Sequence, residues 1–374
     1  MKNYNMKKIV VLTYGDSSNP ATWSNVPYLL VNSLRKKVNI KAYNIETKQN
    51  VFTYLFSAIS IVLRRKSLYY FVRSKINYNI VTEKIKRIIE KEDNDTDMYL
   101  LLSYDYDITL YTKKKVVLLS DWSAEYIVHT WYNRDNYWIE KKYFERIKNT
   151  IKNAYEVISL VEDFKVYAEE KYKRSIKYYG MPINAFVDSN MGMNNIDNRK
   201  YITFIGKNSY KESAIKIIDA FNYFKLKSDY ELHIIGMSRN DFNIEDDTKI
   251  YFHGYLDKGN ENELEEYYNV LINSKMLINT NEKWAGMSSL MEALYYYVPL
   301  VISKNNEASK KFGDNNSFIF YSKNEQDDII KEIRKICFLS KEEYRTVCFS
   351  AHSFVKGNTY DNYVDNIINI IDNN

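Results

Sequence analysis

Residues 274 to 303 read as strand, turn, helix and strand, and that order constrains the chain more than any other feature in it. Met276-Leu277-Ile278 is an apolar strand that runs into a polar turn carrying Gly286. Ser288 to Tyr297 has apolar residues at helical spacing, and Leu300-Val301-Ile302 resumes the strand character after Pro299. A helix that starts at the carboxyl end of a strand turns its unpaired N–H groups outward and collects anions. Gly286 leaves room for a phosphate to approach the backbone. Glu292, about a turn inside the helix, is placed for a carboxylate to accept two hydrogen bonds from a ribose diol. Together these predict a pocket for a nucleotide diphosphate.

The same alternation runs through the chain. In the second half, strands are expected at 201–206, 231–236, 249–254, 275–279, 300–303 and 317–321, with helices at 212–223, 261–273 and 288–297. In the first half, strands are expected at 7–13, 38–43, 98–103, 116–120, 154–160 and 175–179. Strands alternating with helices make a parallel, doubly wound α/β sheet, whose ligands lie beyond the carboxyl ends of its strands. The polar, Asn-rich stretch 188–199 reads as a linker between two lobes. The expected organisation is an N-terminal acceptor-binding domain 1–187, that linker, a C-terminal nucleotide-binding domain 200–355, and a terminal amphipathic helix 356–374 packing back towards the first domain.

At 374 residues, 45% of them hydrophobic, the chain can build two full cores. A net charge of +5 permits attraction to phosphates or anionic lipid without demanding nucleic acid, and no nucleic-acid partner is expected. Thirty-six tyrosines read as compositional bias. Cys337 and Cys348 lack metal or redox spacing, so a reducing compartment is the simplest reading. The first residues lack the apolar core of a secretion signal, and the longest apolar stretch, 52–63, is too short to cross a bilayer. A cytoplasmic protein is expected.

Four segments of the second half resemble the retaining glycosyltransferases of the GT-B fold, in the large family numbered 4. They are Phe204-Ile205-Gly206-Lys207 with Lys211, Leu232-His233-Ile234-Ile235-Gly236, Ile250-Tyr251-Phe252-His253-Gly254-Tyr255, and Gly286-Met287-Ser288-Ser289-Leu290-Met291-Glu292-Ala293-Leu294 with Val298-Pro299-Leu300-Val301. Gly180-Met181-Pro182-Ile183-Asn184 is similar to the family's turn out of the first lobe. The resemblance implies two Rossmann-like domains with an interdomain cleft. It implies that Lys207 and Lys211 neutralise the donor's diphosphate, that the amides of Met287 and Ser288 face it, and that Glu292 holds the ribose. It also implies that the acceptor attacks on the leaving group's own face and that the departing phosphate helps take its proton, with no metal or other cofactor required.

The chain departs from the family's pattern in several places. The glutamate that usually contacts the transferred sugar is replaced by Trp284, and Glu282 is the nearby acid that a longer loop could bring into its place. The glycine usual two positions before Pro299 is Tyr297, expected to crowd the pocket. The glycine-rich loop after the first strand is reduced to Gly15, leaving Gly15 and Asp16 as the donor contacts there. Where the family often has a first-lobe histidine, this chain has Asp121 after a strand and His129 eight residues on. Either could polarise the acceptor hydroxyl or steady developing charge on the sugar; the structural alternatives are a helix cap and a satisfied helical histidine. Asp105-Tyr106-Asp107 has the look of a cation site used by another transferase fold, but two carboxylates alone do not make one.

The expected activity is therefore transfer of a hexosyl or N-acetylhexosaminyl group from a nucleotide sugar, UDP-linked on family grounds. The acceptor is a saccharide, a lipid-linked sugar or a glycoprotein in surface polysaccharide synthesis. The segment 52–78 sets apolar residues beside Arg64-Arg65-Lys66 and Arg73, which suits the anionic inner face of the cell membrane as well as it suits a core helix with a basic end. The alternatives are a nucleotide-sugar epimerase or hydrolase of the same shape and a non-catalytic partner subunit.

Overall fold

The computed structural model describes residues 7–48, 51–62, 69–224, 229–242, 244, 249–282, 287–304, 311–313 and 315–372. The chain divides into two compact units, Met1–Pro182 with Tyr360–Asn374, and Ile183–Thr359.

The first unit is built on strands β1 (Lys8–Thr13), β2 (Asn39–Asn44), β3 (Met98–Leu101), β4 (Lys115–Ser120), β5 (Glu156–Ser159) and β6 (Lys177–Tyr178). They form one parallel sheet in the order β2-β1-β3-β4-β5-β6. Helices cover both faces, so the central strands are continuous buried runs; all six residues of β1 are buried. One face packs on helix Lys75–Glu92, through Val81, Ile85 and Ile89. The other packs on helices Val26–Arg35 and Tyr360–Asp372, through Leu30, Leu34, Tyr363, Val364 and Ile367. The terminal helix is held as well by Lys36 and Lys37, which pair with Asp361 and Asp365, and by Lys115, whose ammonium meets the carbonyls of Ile370 and Ile371 near the negative end of the helix dipole.

The second unit repeats the plan with β7 (Tyr201–Ile205), β8 (Glu231–Ile235), β9 (Ile250–Gly254), β10 (Ser274–Asn279), β11 (Leu300–Ser303) and β12 (Ile319–Ser322). The sheet is parallel throughout, in the order β12-β11-β10-β7-β8-β9. The order reverses between β7 and β10. Successive strands travel one way from β7 and the other way from β10, which makes the shared carboxyl edge of these two strands the switch point where such sheets bind ligands.

Within the stretch 188–199, the second unit has a short helix, Asn190–Asn194, and a 3-10 turn, Ile196–Asn198. Buried Arg199 ties it down by donating to the carbonyls of Gly192 (2.9 Å), Tyr296 (2.7 Å), Ile272 (3.1 Å) and Tyr297. Tyr297, expected to crowd a pocket, instead follows helix Met287–Tyr295 in the left-handed conformation (φ 63°), where a glycine would sit without strain. Its ring stacks on His352 (4.1 Å between centroids) and meets Phe349 edge-on.

Candidate functional site

The switch point of the second sheet gathers the residues for which an anionic ligand is expected. Gly206 follows β7, and its N–H donates to the Ile235 carbonyl at 3.0 Å. Gly236, after β8, has φ 99°, and a Cβ there would stand 2.5 Å from the Gly206 carbonyl oxygen, so these two turns pass only because the second residue is glycine. Lys207 and Lys211 are both exposed at the start of the segment that becomes helix Lys211–Phe224. The Lys207 ammonium stands 4.8 Å from the Tyr255 ring centroid and that of Lys211 5.9 Å from the Phe242 ring. An aromatic face thus lies beside each ammonium, and the Lys211 charge also acts on Asp241.

Helix Met287–Tyr295 starts beyond the adjacent strand β10. Met287 is buried and anchors the first turn, and Ser288 Oγ accepts a hydrogen bond from Asn184 Nδ2 at 3.0 Å. The amides of Met287 and Ser288 belong to the first turn, which has no intrahelical partners for its N–H groups. Gly286 and Trp284 lie outside the described residues. Glu282 is described and exposed, just beyond the end of β10.

Glu292 differs from the expectation of a carboxylate open to a ribose. It is 2% exposed, and both oxygens are occupied. Lys258 Nζ lies 2.6 Å from Oε1 and 2.8 Å from Oε2, and the hydroxyls of Tyr267 and Tyr268 donate to Oε2 and Oε1, each at 2.8 Å. Four donor contacts fill a carboxylate's acceptor sites. Burial pulls the Lys258 ammonium below the usual lysine range, and the Glu292 charge works against that fall. Burial, followed by the Glu292 charge, raises both tyrosine hydroxyls well above their ordinary range. No local pattern marks this cage. Lys258 sits in a polar loop 34 positions away, with no periodicity to mark it.

In the first unit the expected residues fall into separate settings. Gly15 ends β1 with φ 102° and donates its N–H to Asn44 Oδ1 at 3.1 Å. Asp16 is exposed, and its carboxylate closes a local turn on the N–H and hydroxyl of Ser18, both at 2.8 Å, which holds it below the usual carboxylate range. Asp121 follows β4. Its Oδ1 accepts from the Trp122 N–H at 2.8 Å, its Oδ2 from Trp23 Nε1 at 3.3 Å, and burial pushes its carboxyl up. His129 lies in a π-helical turn, Ile127–Trp131. Nδ1 meets the Tyr167 hydroxyl at 2.9 Å and Nε2 meets Asn136 Oδ1 at 2.8 Å, so both ring nitrogens serve the fold. Asp105 and Asp107 are likewise engaged by Tyr143 and Asn153, both at 2.7 Å. Among the described residues, no group of three or more His, Cys, Asp or Glu side chains is placed to hold a metal ion.

No protein-family model and no curated protein sequence matches the chain. Solved structures do. Sucrose-phosphate synthase from Thermosynechococcus elongatus superposes with a TM-score of 0.65 at 10% identity, covering 97% of this chain and 98% of that one. The Anabaena protein HepE, solved in complex with UDP and glucose, gives 0.60 at 10% identity, with 97% and 99% covered. A Listeria monocytogenes protein described as a UDP-N-acetylglucosamine 2-epimerase gives 0.55 at 13% identity, with 97% and 96% covered. Likeness at such identities speaks for architecture, and it agrees with the two six-stranded parallel sheets: the chain has the GT-B fold.

Proposed function

We propose that this protein is a retaining glycosyltransferase that takes a hexosyl or N-acetylhexosaminyl group from a UDP-sugar and passes it to a glycan, lipid-linked sugar or glycoprotein acceptor. The observation that carries the reading is the switch point between β7 and β10. Two exposed lysines follow β7 and a helix begins beyond its neighbour β10, an order that supports cations and helix amides serving one anion. That combination suits a diphosphate leaving group, whose charge grows as the sugar departs. The fold is shared with HepE, whose structure contains UDP and glucose.

In this reading Lys207 and Lys211 stabilise the departing diphosphate, and the Met287 and Ser288 amides bind it. The acceptor hydroxyl attacks the anomeric carbon on the face the diphosphate leaves, and a phosphate oxygen accepts its proton, so no metal is needed. Asp121 directs the acceptor hydroxyl. Glu292 takes the ribose diol only by exchanging it for the donors that now fill its carboxylate. A peripheral place at the inner membrane surface fits helix Val51–Val62, which has no charged residue and leaves Val51 80%, Leu55 57% and Val62 80% exposed.

The test is a thermal-shift panel of UDP-, GDP- and ADP-sugars. A donor that binds only the folded protein raises its melting temperature, further at higher concentration. The expected outcome is a rise with UDP-sugars; no rise with any of them would sink the reading. The likeness to a protein described as a 2-epimerase favours a second possibility, isomerisation of the donor by this protein alone. A UDP-sugar converted without any acceptor present would decide for it.

A further inference from the structure

Four of the chain's five tryptophans, Trp23, Trp122, Trp131 and Trp138, belong to the first unit, and three of them collect around Asp121. Trp23 donates its indole N–H to the carboxylate at 3.3 Å and Trp122 its backbone N–H at 2.8 Å, while Trp131 reaches this group only through Trp122, whose ring it meets edge-on with centroids 4.7 Å apart. Burial accounts for only part of this cluster: Trp131 is 44% exposed, and the neighbouring Tyr132 and Trp138 are 59% and 82% exposed. Three exposed rings within eight residues offer aromatic surface to a ligand.

The loop that carries these rings is pinned in place. His129 Nε2 holds Asn136 across it, Arg134 forms a two-pronged bridge to buried Glu140 at 2.8 Å on each side, and the Arg134 guanidinium covers the Tyr137 ring at 3.9 Å. The rings are thereby ordered before any ligand arrives, which removes a cost that binding would otherwise carry. An indole face is electron-rich, and a pyranose ring offers a complementary face of weakly positive C–H bonds. A carboxylate beside it accepts a charge-assisted hydrogen bond from a sugar hydroxyl.

We propose that Trp131 and Asp121 form the acceptor subsite: a saccharide lays the C–H face of a pyranose on the Trp131 indole and directs a hydroxyl to the Asp121 carboxylate, with Trp138 a second stacking face for a longer chain. The inference rests on the glycosyltransferase reading and commits it to an acceptor recognised through its sugar ring.

The experiment is saturation-transfer NMR on the full-length protein with methyl glycosides of glucose, galactose, rhamnose and N-acetylglucosamine. It is run on the wild type, Trp131→Ala and Trp131→Phe, with the UDP-induced rise in melting temperature measured on each. At least one glycoside should receive saturation at its ring C–H protons. Trp131→Ala should weaken its binding roughly tenfold, and Trp131→Phe should retain most of it. UDP should stabilise all three proteins alike. No transfer to any glycoside, or equal transfer to Trp131→Ala, overturns the subsite. Pelleting of the wild type but not of Trp131→Ala with phosphatidylglycerol vesicles also overturns it, in favour of a lipid surface. Glycoside binding that depends on Trp131 in a protein no UDP compound stabilises would leave the subsite standing and remove the transferase.

Discussion

Lys207 and Glu292 look equivalent on a motif and are not equivalent in the structure. Lys207 is exposed and its ammonium rests against one aromatic ring, so removing it leaves no buried charge behind. Lys207→Ala should therefore fold normally and lower kcat by ~10- to 100-fold, more than it weakens donor binding, because the charge it meets grows in the transition state. Steady-state kinetics with the donor found in the thermal-shift panel measures this, and equal losses in binding and turnover would refute the role. Glu292 is caged by Lys258, Tyr267 and Tyr268. Glu292→Ala strands a buried ammonium and should cost about 3–5 kcal/mol of stability, read by urea unfolding. Loss of activity in that variant would not by itself reveal a ribose contact. The motif marked the glutamate, because its helical position is local information. It was silent on the cage, because the lysine and tyrosines reach the carboxylate only through tertiary packing.

Among the elements, strands and helices of both sheets follow the apolar alternation closely, since a parallel sheet covered on both faces needs uninterrupted buried runs such as β1 and β11. The ends were less legible. The π-helical turn at Ile127–Trp131 and the left-handed Tyr297 have no local signature, because tertiary contacts impose both. Helix Val51–Val62 is the element whose surface its own fold does not explain: Tyr54 and Leu55 are 67% and 57% exposed. If it seats on lipid, Leu55→Asp should abolish co-sedimentation with phosphatidylglycerol vesicles and leave the melting temperature unchanged, as an exposed substitution normally does. Equal pelleting of variant and wild type would rule the contact out. Arg64, Arg65 and Lys66, which the sequence sets beside this helix, lie outside the described residues.

For the molecule as a whole, acid should be the first solvent stress to tell. Glu92, at the end of helix Lys75–Glu92, is bound by Lys8 on β1 and by Lys41 and Tyr43 on β2. Burial alone would raise its carboxyl, but the hydrogen bonds from Lys41, Tyr43 and Lys8 outweigh it and bring the group down to about 2. A carboxyl depressed by folding contributes stability above its unfolded value, and that contribution drains away as pH falls towards the folded value. Stability should therefore decline between about pH 4.5 and pH 2. Glu92→Gln, followed by urea unfolding across that range, should flatten the decline while lowering stability at neutral pH. An unchanged slope would show that other carboxyls govern it.

The return of Tyr360–Asp372 to the first sheet has a consequence for synthesis. The second unit is spliced into the first, so its residues have all been translated while the first still lacks its closing helix. On the ribosome the later-encoded unit can finish first, and the earlier one must wait for helix Tyr360–Asp372 to emerge and complete the face that includes Ile9, Val11 and Leu34.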